Sequence, residues 1–154
     1  MGNLQRFAGP PSDYWIDSQR DLAKNILSRM ANDLGMEPVT PAFAGFLPNY
    51  FTTRYPKADT QKLSKWSGFN CTNSCIVWLE PSDPMFVKLQ DAYIEEQQAA
   101  LGYKSYRFAL DMFNEVVPKS NHPDFLAKTA VQVHGSLPKK SIWVLQGWLF
   151  HEGG

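Results

Sequence analysis

Apolar residues recur along the chain in two rhythms. Leu22, Ile26, Met30 and Leu34 fall at every fourth position, with Ala23 and Leu27 widening the stripe, which predicts a helix with one apolar face. Ser18, with Asp21 three residues on, resembles a capping box, so this helix is expected to begin near Asp17 or Ser18. Gly35 suits a left-handed stop and Pro38 forbids continuation. Phe86, Leu89, Tyr93, Ile94 and Leu101 define a second helix, opened by Ser82-Asp83-Pro84 and ended at Gly102. A third starts at Asn121 or His122, ahead of Pro123, and runs through Leu126, Ala130 and Val133 to Gly135.

The second rhythm is the short unbroken apolar run. Residues 37–43, 106–113 and 141–146 each fit a strand buried in a parallel sheet, although Pro38 and Pro41 weaken the first. Residues 44–85, rich in Pro, Gly, Ser, Thr and Asn, are expected to form one long connection, of a length that usually serves a site. The alternation of helix and strand implies parallel strands joined by right-handed crossovers. Such an α/β chain is either part of a doubly wound sheet or an incomplete (β/α)8 TIM-barrel fragment of about three parallel strands, since a whole barrel needs about 250 residues. Neither reading finds a Gly-rich phosphate loop.

Composition narrows the function. Of 154 residues, 44% are hydrophobic and 19% charged, which suits a chain that buries a core. Fifteen basic residues cancel fifteen acidic ones, and no basic cluster exceeds Lys139-Lys140, so nucleic acid is not an expected partner. No stretch reaches the roughly 20 apolar residues of a membrane span, and no membrane partner is expected. The first residues also lack the charged-then-apolar layout of a signal peptide. His122, His134 and His151 have no ligand-like spacing, and the two cysteines alone make no zinc site.

Candidate chemistry gathers at the end of the second strand. Asp111, Asn114 and Glu115 fall where parallel α/β folds build their active sites. A Glu beside an Asn suits glycoside hydrolysis: the carboxyl can protonate a leaving oxygen while the amide binds the neighbouring sugar substituent. On spacing alone, Glu115 as a solvated loop residue and Asp111 as a backbone cap stay open. So does a metal held by Asp111 and Glu115. Cys71 and Cys75, four residues apart, can be bridged if the residues between them turn tightly. Asn70-Cys71-Thr72 matches the N-glycosylation acceptor pattern, which together with a disulfide fits an oxidising compartment. Trp148 follows the third strand end, whereas Trp143 is expected in the core.

Four ordered segments then carry a resemblance: residues 35–45 (GMEPVTPAFAG), 69–75 (FNCTNSC), 111–115 (DMFNE) and 143–150 (WVLQGWLF). With Met1-Gly-Asn-Leu at the start, they resemble the family 89 glycoside hydrolases, the α-N-acetylglucosaminidase family, over almost the whole chain. The resemblance implies a retaining glycosidase without metal or organic cofactor, acting on terminal α-linked N-acetylglucosamine and, in animals, on heparan sulfate in lysosomes. It implies general acid/base catalysis by Glu115, sugar contact by Asn114 and a pocket wall from Trp148, with Trp66 and Asn3 as further wall residues by position. It supports a Cys71–Cys75 disulfide and a glycan on Asn70, on a lysosomal or secreted full-length protein that could form a homo-oligomer. Phe46, where relatives commonly carry His, and Trp66-Ser67-Gly68-Phe69, which lacks a His before the Phe, depart from the pattern.

Residues 1–154 are therefore expected to be the middle of a barrel catalytic domain, without its N-terminal domain, later strands or C-terminal helical domain. No Glu here matches the family's nucleophile, so the chain alone is expected to be inactive. The rival expectation is a non-catalytic carbohydrate-binding or truncated product.

Overall fold

A computed structural model of the chain describes residues 11–114 and 116–146. Its parallel sheet has the strand order β1-β5-β6: β1 (Thr40–Pro41), β5 (Arg107–Ala109) and β6 (Ile142–Val144). Thr40 pairs with Phe108, and Phe108 with Trp143. The three expected strands are all present and all parallel, but shorter than their apolar runs. Pro41 has no N–H for the ladder, and side chains serve the neighbouring backbone instead. Gln97 donates to the Pro41 carbonyl at 3.0 Å, and the Phe43 N–H donates to the buried Gln90 Oε1 at 2.8 Å.

The three long helices also match their patterns, with one shifted start. Helix α1 (Asp13–Asn32) begins a turn earlier than expected, because Ser12, not Ser18, accepts the Trp15 N–H at 3.2 Å. Ser18 lies inside the helix and donates to the Trp15 carbonyl at 2.8 Å. At the other end Gly35, at φ +62°, turns the chain so that Met36 N–H reaches the Met30 carbonyl at 2.8 Å. Residues 44–85 lead to α4 (Pro84–Leu101), which is capped by Asp83 and stopped by Gly102 in the left-handed region. Helix α5 (Pro123–Ser136) takes His122, the second of the two expected starts, as its cap.

The long connection is not a bare loop, and here the sequence expectation is corrected. It folds into an antiparallel sheet of order β2-β4-β3, with β2 (Phe46–Leu47), β3 (Thr60–Lys62) and β4 (Val77–Leu79), and two one-turn helices, α2 (Phe51–Arg54) and α3 (Cys71–Ser74). The central strand β4 is buried throughout. Strands of two or three residues are too short to display the alternation that marks a half-buried strand, although Ile76-Val-Trp-Leu was an apolar run.

Two cores result. The main one joins Phe108 and Leu110 of the β5 segment to Phe86 and Ile94 of α4 and Val133 of α5. The second, inside the insert, is built from Leu63, Ile76 and Trp78. Phe108 and Trp143 share the sheet face that looks toward the helices, so the alternating positions look the other way. On that opposite face Pro41, Ala109, Ile142 and Val144 are exposed. Layers of such side chains fill the inside of a (β/α) barrel. Helix α1 tells the same story from outside: it touches α4, yet none of its residues is buried, and Leu22 and Ile26 stay exposed. Among the described residues, then, this is a barrel sector whose inner face and outer flank are both uncovered.

Candidate active site

The chemistry-bearing segment leaves the carboxyl end of β5. Leu110 is buried, and its carbonyl accepts the Trp143 indole N–H at 2.9 Å, which ties the ends of β5 and β6 together. Trp143, expected in the core, packs half-buried against it and stacks near His134. Asp111 comes next. Burial raises its carboxyl above the ordinary 3.8, partly offset by the Phe113 N–H that it accepts. Its Oδ2 is enclosed without a hydrogen-bond partner among the described residues.

Residues 112–114 form a turn, closed by the Val116 N–H on the Phe113 carbonyl at 3.2 Å. Asn114 is exposed on that turn. Met112, Phe113 and Val116 lie on the insert's core, with the Phe113 ring 5.0 Å from that of Trp78. Further on, Val117 N–H donates to Ser64 Oγ and Lys119 N–H to Gln61 Oε1, each at 3.1 Å. The Lys119 ammonium pairs with Glu80, a carboxylate buried at the end of β4 that also accepts from Gln61. Sequence reading missed this network, because its members lie far apart in the chain. Glu115, Trp148 and Asn3 fall outside the described residues.

A second group of expected site residues sits in the insert. The Cys71–Cys75 disulfide is present, closing the single turn of α3 across a Cα–Cα distance of 4.6 Å. Asn70 caps that turn by accepting the Thr72 N–H at 2.8 Å. Trp66 stacks flat on Phe69, centroids 5.3 Å apart and planes within 5°, and its backbone N–H donates to Ser74 Oγ at 3.3 Å. The aromatic pair and the disulfide turn thus form one unit. Phe46, which stands where relatives commonly carry His, packs against the insert's core. Gly45 must lie close to Trp78: a Cβ there would come within 2.5 Å of the indole nitrogen, and its φ is +92°.

Among the described residues no three His, Cys, Asp or Glu side chains gather to hold a metal ion, and no helix is long and apolar enough to cross a membrane.

Parallel strands with helices on one face, an inner face left open and polar residues at the strand ends define a sector of a (β/α) barrel. Residues 1–153 match the family model described as the alpha-N-acetylglucosaminidase tim-barrel domain, and the chain belongs to that family. Human alpha-N-acetylglucosaminidase is 35% identical over 153 residues, covering 97% of this chain and 20% of its own length. The chain thus spans about a fifth of that curated relative.

Solved structures agree on the fold. A family 89 glycoside hydrolase from Clostridium perfringens, in complex with 2-acetamido-1,2-dideoxynojirmycin, matches 94% of this chain and 16% of its own at a TM-score of 0.74 and 20% identity. A doubly substituted form from the same organism, in complex with its substrate GlcNAc-alpha-1,4-galactose, matches 95% of this chain and 17% of its own at a TM-score of 0.79 and 20% identity.

Proposed function

We propose that the barrel to which this chain contributes is a retaining exo-glycosidase that removes terminal α-linked N-acetylglucosamine, with Glu115 as its general acid/base. The observation that carries this reading is the segment running from Asp111 through Asn114, leaving the carboxyl end of a parallel strand in a chain of this family. In the first step a nucleophilic carboxylate attacks the anomeric carbon while the Glu115 carboxylic acid gives its proton to the departing oxygen. In the second step the Glu115 carboxylate takes a proton from the water that cleaves the glycosyl-enzyme. Asn114 hydrogen-bonds the substituent beside the anomeric carbon, and Trp66, Trp148 and Asn3 wall the pocket.

The two carboxyls of a retaining enzyme stand about 5 to 5.5 Å apart, and on this reading the chain supplies one of them, with the nucleophile contributed by another part of the barrel. We therefore expect the 154 residues to be inactive by themselves and active only with the rest of the barrel. The glycan substrate is heparan sulfate in an animal setting, and the compartment lysosomal or extracellular. The disulfide supports that compartment, as does an exposed Asn70 whose amide oxygen is engaged, since the nitrogen is the atom that carries a glycan.

In the complete enzyme, Glu115→Gln should lower turnover of an N-acetylglucosaminyl disaccharide by about 10² to 10⁴-fold, the span typical of lost acid/base catalysis. Unchanged turnover would overturn the assignment.

A further inference from the structure

The segment that carries Glu115 is held from outside the barrel sheet. Upstream of position 115, Phe113 lies against Trp78 at 5.0 Å. Downstream, three polar ties reach the antiparallel insert: Val117 N–H to Ser64, Lys119 N–H to Gln61, and the Lys119 ammonium to Glu80. Glu80, Gln61 and Lys119 close on one another, since Glu80 accepts from both Gln61 and Lys119 while Gln61 accepts the Lys119 backbone N–H. The Lys119 ammonium also lies 5.3 Å from the Phe125 ring centroid near the start of α5.

Burial explains why this knot can hold a loop in register. The Glu80 side chain is only 6% exposed, so its carboxylate has little water to fall back on and leans on Gln61 and on Lys119, whose own side chain is 48% exposed. A surface pair of the same residues would be a weak restraint. The partners also lie on different parts of the fold: Gln61 on β3, Glu80 directly after β4, and Lys119 on the loop that leaves β5.

We propose that Glu80 and Lys119, with Gln61 completing the knot, are positioning residues for the acid/base loop. They fix the chain on either side of position 115 against the insert so that a proton can be delivered to the leaving oxygen. The proposal rests on Glu115 being the proton donor and adds that the insert, not the barrel sheet alone, sets its aim. Positioning of this kind matters because a misplacement of about 1 Å can cost on the order of 10²-fold in rate.

Leaving-group chemistry tests the proposal. A sugar leaving group needs the proton, whereas 2,4-dinitrophenolate departs without it, and kcat/KM reports this first step alone. In the complete enzyme, Lys119→Ala is expected to lower kcat/KM about tenfold or more for an N-acetylglucosaminyl galactoside, while the 2,4-dinitrophenyl glycoside changes by less than about twofold. If Lys119→Ala fails to fold because Glu80 is left unpaired, the double variant Glu80→Gln, Lys119→Met removes tie and charge together and should give the same selective loss. Equal losses on both substrates, or none on either, would overturn the proposal. Glu115→Gln is run alongside: if it lacks the selective loss, the acid/base reading itself has failed; if it has the loss and the Lys119 variants do not, only the positioning role has.

Discussion

The two small sheets of this chain solve the burial problem in opposite ways. The antiparallel insert is covered on both faces: β4 is buried throughout, with Leu79 in the main core and Trp78 fully enclosed beneath Phe113, its indole N–H donated to the Ala44 carbonyl at 2.7 Å, and a disulfide pins the neighbouring turn. The parallel sheet has one finished face and one open one, with Ile142 and Val144 exposed where a barrel keeps its interior. The insert's strands find their partners nearby in sequence, whereas a barrel strand needs neighbours supplied from far along the chain. The loop carrying the proposed acid/base residue is fastened to the covered half, and Met112, Phe113 and Val116 of that loop help to cover it. On the proposed reading, the insert rather than the parallel sheet alone sets the aim of that loop.

Substitutions can probe how deep this difference runs. The largest effect is expected from Trp78→Ala, about 3 to 5 kcal/mol in thermal or denaturant unfolding, since a fully buried indole leaves a cavity. Trp143→Ala, half-buried on an edge strand, should cost clearly less; equal losses would erase the distinction between the halves. Gly45→Ala should cost about 3 kcal/mol, because it adds a Cβ in the left-handed region against the Trp78 ring. Reducing the Cys71–Cys75 disulfide should cost on the order of 2 kcal/mol, the modest loop entropy of so short a closure. Ile142→Thr should change the stability of this chain by no more than about 0.5 kcal/mol, as surface substitutions do. In the completed barrel the same change should cost more, and a silent result there would mean that the open face is not the barrel interior.

The smallest expected effect concerns pH. The Asp111 carboxyl is raised by burial, so its protonated form favours the fold. That contribution is fully present below the ordinary 3.8 and is lost as pH climbs through the raised folded value. Asp111→Asn should therefore flatten the fall in melting temperature over this range, and an unaltered slope would count against burial as the cause.

Much of the fold was legible because its signals are local. Pro84 behind Asp83, Pro123 behind His122 and Gly102 mark helix ends through backbone geometry alone, and the apolar runs around Phe108 and Trp143 mark strands. The start of α1 was misread because Ser18 and Asp21 imitate a cap that Ser12 supplies. The insert stayed hidden because two- and three-residue strands carry no period and its turns look like loop. The Gln61, Glu80 and Lys119 knot was invisible for a related reason: residues 19 to 58 positions apart leave no local pattern. Glu115 was legible only as a candidate, from its strand-end position, and the role proposed for it comes from the family resemblance.

The stereochemistry of azide capture tests that role most directly. In the complete enzyme carrying Glu115→Ala, supplied with a 2,4-dinitrophenyl α-glycoside and azide, the anion should intercept the glycosyl-enzyme and yield the α-glycosyl azide, with configuration retained. A β-glycosyl azide would identify Glu115 as the nucleophile instead, and full activity without azide would show that it is neither.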